Sequence, residues 1–154
     1  MASFVYNTAA QEIANSTIDL DTNTLKVMLV TSSYVANRDD LVVDAGGAND
    51  AVDHEISVTG YTAGWGGAGR KTAVVTTGVD NTNDRAEVYI ADLTWTSLGA
   101  GATIAAAILI KEGGANDTTS RLIAYFDLTD TATNGGDITL DFDAAEGAIR
   151  LSTV

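Results

Sequence analysis

The chain has 154 residues, enough for one domain with a substantial core. It contains no Cys and one His, which excludes a disulfide framework and a thiolate metal site. Its 21 acidic residues outnumber 8 basic ones and give a net charge of −13. Arg70 and Lys71 are the one adjacent basic pair, so binding to nucleic acid or to an anionic membrane is not expected.

The beginning of the chain does not resemble a targeting signal. Residues 1–10 lack a basic start followed by an apolar stretch. The longest apolar run, residues 104–110, is far shorter than the roughly 20 residues that a membrane helix needs. We therefore expect synthesis and folding in a cytoplasm, without membrane association.

A helix is predicted near the N-terminus, and a buried strand follows it. Val5, Ala9 and Ile13 form a narrow apolar stripe that predicts a helix over residues 4–14, within an N-terminal arm of residues 1–17. Residues 25–30 read as a strand with apolar side chains on both faces. Such a strand is expected at the centre of a sheet and covered on both sides.

Residues 34–53 are acidic and weakly patterned, which predicts a long loop with one short turn of helix near residues 38–43. Long loops in compact domains often contact partners. This loop and residues 64–69 offer few apolar side chains. We therefore expect both segments to gain order by binding.

The rest of the chain predicts strands separated by turns rich in Gly, Asn and Asp. Alternation of apolar and polar residues is clearest over residues 85–91 and 137–143. Further strands are predicted at residues 55–61, 71–77, 103–111, 121–127 and 148–154. With residues 25–30 these make about eight strands, typical of an antiparallel β-sandwich or barrel in a single domain over residues 1–154.

One shared core is expected to hold these strands together. Its predicted members, taken from the apolar faces of the strands, are Leu29, Val88, Ile108, Phe126, Leu140 and Phe142.

Two ligand-binding patterns occur in the chain, and neither is complete. Residues 64–69 match G-x-G-x-x-G, but a β-type segment follows where a dinucleotide site requires a helix, so a loop is predicted. Asp19, Asp21 and Asn23 have the spacing that opens a calcium loop, whereas Thr24 and Val30 stand where an EF-hand has Gly and Glu.

A looser surface calcium site remains open at this stage. It would use Asp19, Asp21 and Asn23, or instead Asp39, Asp40 and Asp44. No cofactor is expected.

The sequence contains few residues arranged for catalysis. His54 lies between Asp53 and Glu55, but neighbours in a strand point to opposite faces and do not orient an imidazole. There is no Cys nucleophile and no G-x-S-x-G elbow. A pair of carboxylates could hydrolyse a glycoside, yet any acidic chain offers such pairs and solvated charge explains them. The sequence predicts a protein that is not an enzyme.

The two tryptophans are candidates for binding surfaces, because exposed aromatic residues on loops often anchor interfaces. Trp65 is flanked by glycines and is the stronger candidate. For Trp95, contact with a partner and coverage of the core edge remain equal alternatives.

Four segments together resemble a family of small structural proteins of tailed-bacteriophage virions. They are residues 18–34 (IDLDTNTLKVMLVTSSY), 55–64 (EISVTGYTAG), 92–95 (DLTW) and 121–127 (RLIAYFD). Their order and spacing extend the resemblance over nearly the whole chain. The chain departs from the family where Arg121 replaces a Pro and at the insertion that contains Trp65. The resemblance implies a virion component without catalytic residues.

Within that family, a capsid decoration (cement) protein on the outer head surface is our main hypothesis, since an acidic protein is repelled by packaged DNA. The expected partners are the major capsid protein and neighbouring copies, in a homo-oligomer such as a trimer. A head or tail fibre or receptor-binding component is the alternative, and a polysaccharide-acting enzyme is a remote third. The interface candidates are Phe4, Tyr6, Tyr34, Leu41, Val43 and Trp65.

Overall fold

The computed structural model describes residues 2–152 and has a mainly β fold with one short helix near its N-terminus, as the sequence predicts. No helix in this range is long and apolar enough to cross a bilayer. The elements in chain order are β1 (Phe4–Val5), α1 (Asn7–Ala14), β2 (Leu25–Thr31), a 3₁₀ turn (Ala51–His54), β3 (Lys71–Thr72), β4 (Val75–Asp80), β5 (Arg85–Ile90), β6 (Leu93–Trp95), β7 (Thr103–Lys111), β8 (Arg121–Ala132), β9 (Ile138–Leu140) and β10 (Ile149–Ser152).

The strands form three antiparallel sheets in a sandwich-like arrangement around one hydrophobic core. The large sheet has the order β1-β8-β7-β2-β3, the second has the order β10-β5-β4, and β6 pairs with β9. The apolar run of β7 lies at the centre of the large sheet and is buried from Ile104 to Ile110. β2 lies beside it, with Met28 opposite Ile108, and is covered on both faces as predicted.

The predicted core is confirmed with one adjustment. Five of the six predicted side chains are buried in the common cluster. Phe126 is only partly buried and packs at the rim, where its ring meets that of Phe142 edge to face at 5.3 Å. Substitution of Phe126 should therefore cost less than that of a central residue.

Several predicted boundaries of helices and strands were wrong, because pairing between strands decides where these elements begin and end. The helix begins at Asn7, because Phe4 and Val5 pair with β8 as an edge strand. The predicted strand at 71–77 is split into β3 and β4. Its break is at Ala73, whose N–H donates to Leu25 of the large sheet, while the carbonyl of Val74 accepts from Ala91 of the second sheet.

The predicted strand at residues 55–61 is also wrong, since this segment has only isolated bridges, such as that between Val30 and Glu55. Within it, Gly60 has a φ of +87°, which turns the chain. Residues 93–95 form the unpredicted strand β6, and the strand predicted at 137–143 is reduced to its partner β9. β10 confirms the last predicted strand, whose final two residues lie outside the described range.

The long segment at residues 34–53 is ordered by its own contacts, which corrects the expectation that it needs a partner. Val43 is fully buried, and its N–H and carbonyl bond to Ser120 and to Val52. The turn of helix lies at Ala51–His54 rather than at residues 38–43. The sequence pattern missed this order because its few apolar side chains enter the core singly, without periodicity.

Leu109→Ala is expected to lower the free energy of unfolding by about 2–5 kcal/mol, because it leaves a cavity among fully buried neighbours in β7. Leu41→Ala removes the same atoms from a side chain that is 39% exposed and should cost less than about 1 kcal/mol. Urea unfolding followed by circular dichroism measures both. Equal losses would contradict the central position of β7.

Candidate functional site

The most unusual side-chain cluster is a buried ion network of Arg70, Glu55 and Asp117. Arg70 donates from Nε and Nη2 to the two oxygens of Glu55, at 2.9 and 2.7 Å. It donates from Nη1 and Nη2 to those of Asp117, at 2.5 and 3.0 Å. The side chains of Arg70 and Glu55 are fully buried and that of Asp117 is 9% exposed. One planar guanidinium thus binds two carboxylates bidentately.

The two carboxylates also hold the loop at residues 61–69. Glu55 accepts a hydrogen bond from the Tyr61 hydroxyl through Oε1 and one from the Gly64 N–H through Oε2, both at 2.8 Å. Asp117 accepts one from the Trp65 N–H through Oδ2 at 3.1 Å. The network therefore sets the path of a loop whose glycines give it little order of its own.

Hydrogen bonds and burial together set the protonation states of Arg70 and Tyr61. Desolvation by itself lowers the pKa of Arg70, but hydrogen bonds to Glu55 and Asp117 outweigh it and hold that pKa above its usual value. Burial, reinforced by the charge of Glu55, raises the pKa of the Tyr61 hydroxyl well above its usual value. At neutral pH Arg70 is a cation and Tyr61 a neutral donor. The Tyr61 oxygen also accepts the N–H of Leu29, which joins the network to β2.

Trp65 is exposed and rigidly placed at the tip of this loop. Its side chain is 44% accessible. The indole Nε1 donates to the carbonyl of Gly113 at 2.8 Å, in addition to the backbone bond to Asp117. The Gly66 N–H points to Glu112, which in turn pairs with Lys26 at 2.7 Å. The exposure of Trp65 agrees with its choice as the stronger of the two Trp candidates. The loop at residues 64–69 is ordered by its own contacts, however, which corrects the expectation that it gains order by binding.

Of the two alternatives for Trp95, the structure shows that its side chain belongs to the core. It is 1% exposed, and its Nε1 donates to the carbonyl of Gly69 at 2.6 Å. A Cβ at Gly69 would collide with the ring of Tyr61, so this glycine is required by close packing. The G-x-G-x-x-G pattern is followed by β3 rather than by a helix, and it has a structural explanation.

Four of the six interface candidates are buried in their own chain, which corrects their expected role as surface anchors. Tyr6 and Val43 are 0% exposed, and Phe4 and Tyr34 are 9% and 5% exposed. The hydroxyls of Tyr6 and Tyr34 share a hydrogen bond of 3.1 Å. The guanidinium carbon of Arg38 lies 4.6 Å from the centre of the Phe4 ring. These aromatic side chains pack against one another and against Tyr125 of β8. Of the six candidates, only Leu41 and Trp65 are exposed.

The calcium candidates at residues 19–23 use their oxygens to close a turn. Oδ1 of Asp19 accepts the N–H groups of Asp21 and Thr22, at 3.0 and 3.2 Å. Oδ1 of Asn23 accepts the N–H of Asp19 at 3.0 Å. Hydrogen bonds lower the pKa of Asp19, and the largest contribution comes from the Thr22 side chain.

The second set of calcium candidates is also engaged in hydrogen bonds. Asp39 accepts from the side chain of Asn7, Asp40 from the Asn37 N–H, and Asp44 from the Gly46 N–H. Within residues 2–152, no group of three or more His, Cys, Asp and Glu side chains is arranged to hold a metal ion.

His54 lies in the 3₁₀ turn, with its ring tilted against Tyr34 at 5.9 Å. Its Nε2 is buried and has no hydrogen-bond partner among the described residues. Asp53 is exposed, and Glu55 is turned into the ion network. Neither of the carboxylates beside His54 in sequence is therefore positioned to orient its imidazole.

The ion network was not predicted. Its members are separated by 15 and 47 positions, and no local pattern connects them. A comparison with known proteins adds no further information about the site: no protein-family model, curated protein or solved structure matches the chain. The resemblance to phage virion proteins stays a prediction.

Arg70→Met is expected to cost about 3–5 kcal/mol of unfolding free energy, because it leaves two buried carboxylates without their cation. Arg150→Met is the control. It removes an Arg–Glu pair whose side chains are 41% and 53% exposed, and such a pair contributes less than about 1 kcal/mol. Urea unfolding at neutral pH measures both. Equal small losses would show that the network does not stabilise the fold.

Raising the pH above about 10 should destabilise the fold. Burial raises the pKa of Tyr34 to about 12 and raises the pKa values of Tyr6 and Tyr61 above the usual value. The folded state then holds these protons more tightly than the unfolded chain does. The stabilisation is complete below about pH 10 and is lost as the pH rises toward the folded-state pKa values.

The measurement is the unfolding free energy between about pH 9 and about pH 11. Tyr61→Phe should show a shallower decline than the parent, since one raised group is gone. A parent stability that is constant over this range would contradict the interpretation.

Proposed function

We propose that the protein is a non-enzymatic structural component of a tailed-bacteriophage virion, specifically a capsid decoration protein on the outer head surface. The virion setting rests on the sequence resemblance, and the observation that supports attachment to a partner is the display of Trp65 on a loop held by the ion network. Buried charges that could serve chemistry serve here to hold a loop: Glu55 and Asp117 bind Arg70 and the loop backbone.

A fixed aromatic side chain suits attachment. Interface energy concentrates in a few large side chains, Trp foremost, near the centre of a contact. Binding is stronger when the side chain does not lose freedom on contact. The hydrogen bond from Nε1 to Gly113 and the backbone bond to Asp117 fix the Trp65 indole before any partner arrives.

The charge distribution favours the outer side of a shell. A net charge of −13 repels packaged DNA. Arg70, one half of the single adjacent basic pair, is buried and neutralised by two carboxylates, so this pair offers no cationic patch to phosphate. We propose the major capsid protein and neighbouring copies of the chain as partners, with no nucleic acid and no membrane.

Decoration does not require a large contact per copy. A standard interface of roughly 1,600 Å² in total is enough for specific attachment. Contacts repeated over a lattice add to one another, because each bound neighbour raises the local concentration of the next. A small, stable, acidic β domain with one aromatic anchor meets these requirements.

Trp65→Ala should leave the fold intact and strongly reduce occupancy on phage heads assembled without the protein, since the anchor is lost. Trp65→Phe keeps an aromatic ring but loses the Nε1 donor, and should retain intermediate occupancy. Quantitative gel analysis of sedimented heads measures bound copies, and circular dichroism checks the fold.

Full occupancy by Trp65→Ala would remove this residue from the interface. The number of copies in purified virions tests the wider proposal. Copies that cover the whole head lattice support decoration, whereas a few copies at one vertex or on the tail would favour the fibre or receptor-binding alternative.

A further inference from the structure

Among the described strands, β4 is the longest sheet edge without protection. It spans Val75–Asp80 and is paired with β5 alone at the end of the order β10-β5-β4. The other edges are shorter or charged: β1 and β3 have two residues, β10 carries Arg150, and the part of β8 beyond β1 carries Asp127 and Asp130. Proteins normally shorten, charge or cover sheet edges to prevent pairing. β4 has no charge before Asp80.

The backbone groups that face outward on β4 follow from the hydrogen-bond pattern. The Ala91 N–H donates to the Val74 carbonyl at 3.0 Å. Along an antiparallel ladder the bonded residues alternate, so the even-numbered residues of β4 bond to β5. The N–H and C=O groups of Val75, Thr77 and Val79 therefore point away from β5, toward the free edge.

The side chains on this edge continue the apolar face of the sheet into solvent. Val79, Ala86 and Leu151 are opposite one another across the three strands. Val79 is 73% exposed and Leu151 is 42% exposed. The neighbouring row on the same face contains Val88 and Ile149, which are buried in the core. The sheet thus extends past its own core at this end.

Charge does not prevent a second copy from occupying this edge. Asp80, the first charge on the strand, is already paired with Arg85 at 3.4 Å and accepts the N–H groups of Thr82 and Asn83. Residues 74–79 are uncharged. Two copies that each carry −13 repel one another, and this edge is a surface where they can meet without bringing unpaired charges together.

We propose that β4 pairs with β4 of a second copy of the chain, in antiparallel register about Thr77. In this register Thr77 lies opposite the partner's Thr77, and Val75 lies opposite the partner's Val79. Each of these pairs exchanges two backbone hydrogen bonds, and the two three-stranded sheets become one continuous sheet. Val79, exposed in the single chain, gains an apolar neighbour from the other copy. On the opposite face Thr76 meets the partner's Gly78, a residue that the ring of Tyr89 covers within each copy.

The inference deepens the proposed function and rests on it for its setting, because it names the surface by which neighbouring copies meet. A strand pair of this length gives a weak, reversible dimer. On a capsid lattice such a contact gains strength from the high local concentration of copies. The pairing itself is a property of the purified protein and is tested without a capsid.

The test uses single cysteines in a chain that has none. Thr77→Cys places a thiol on the two-fold axis, where facing Cα atoms are about 5.5 Å apart, within disulfide range. Thr76→Cys is the matched control: it is exposed on the same strand, but its symmetry mate is displaced along the partner. Mild oxidation of the purified variants should convert most of Thr77→Cys, and little of Thr76→Cys, to a disulfide dimer on a non-reducing gel.

Sedimentation velocity supplies a second readout. The parent protein should associate reversibly as its concentration rises. Thr77→Pro removes the outward N–H but no bond to β5, so it should remain monomeric with an unchanged circular dichroism spectrum. If Thr77→Pro does not fold, the two cysteine variants decide the question.

Three results would overturn the proposal: equal cross-linking of both cysteine variants, cross-linking at Thr76 alone, or a parent that remains monomeric while Thr77→Cys does not cross-link. If β4 does not form the dimer, attachment through Trp65 is still tested separately by binding to phage heads. Failure of head binding likewise leaves the dimer measured in solution intact.

Discussion

Arg70 lies between Glu55 and Asp117 in a position closed to solvent, and the loop at residues 61–69 and the connection from β7 to β8 depend on that arrangement. A buried guanidinium is tolerated only with its charge matched and its donors paired. Glu55, Arg70 and Asp117 come from three segments that share no strand pairing, so the requirement fixes those segments relative to one another. The β-ladders hold the strands together, and this cation joins two connections of the large sheet, the one from β2 to β3 and the one from β7 to β8.

The same arrangement explains why a Gly-rich loop is ordered. The chain at residues 61–69 contributes few apolar contacts, yet the Gly64 and Trp65 N–H groups each end on a buried carboxylate oxygen. Such charge-assisted bonds are stronger than neutral ones. Because the accepting carboxylates are themselves held in place by Arg70, these bonds hold the loop in a defined position relative to the core. Trp65 can then remain exposed and still occupy one position.

The parts of the fold that the sequence predicted are those that depend on local patterns. The apolar run of β7 and the alternation of β5 reveal strands because burial and pleat act on neighbouring residues. Glu55 could not be found in this way. It is buried in a segment that meets a strand only through the isolated bridge to Val30, and its partners in the network are distant in sequence. The prediction that Tyr6 and Tyr34 contact a partner was wrong for a related reason. Each is isolated in sequence, and the two side chains meet only in the folded chain.

A subunit that attaches to a shell and also contacts its own copies needs two surfaces that do not compete. The two candidate surfaces belong to different parts of the fold. Trp65 is held by Gly113 and Asp117, which lie in the connection from β7 to β8 of the large sheet. β4 is the edge of the second sheet, and its outward groups are backbone N–H and C=O. One surface relies on a large side chain and the other on an extended backbone. A substitution at either one therefore leaves the chemistry of the other unchanged, and this separation allows attachment and copy-to-copy pairing to be measured independently.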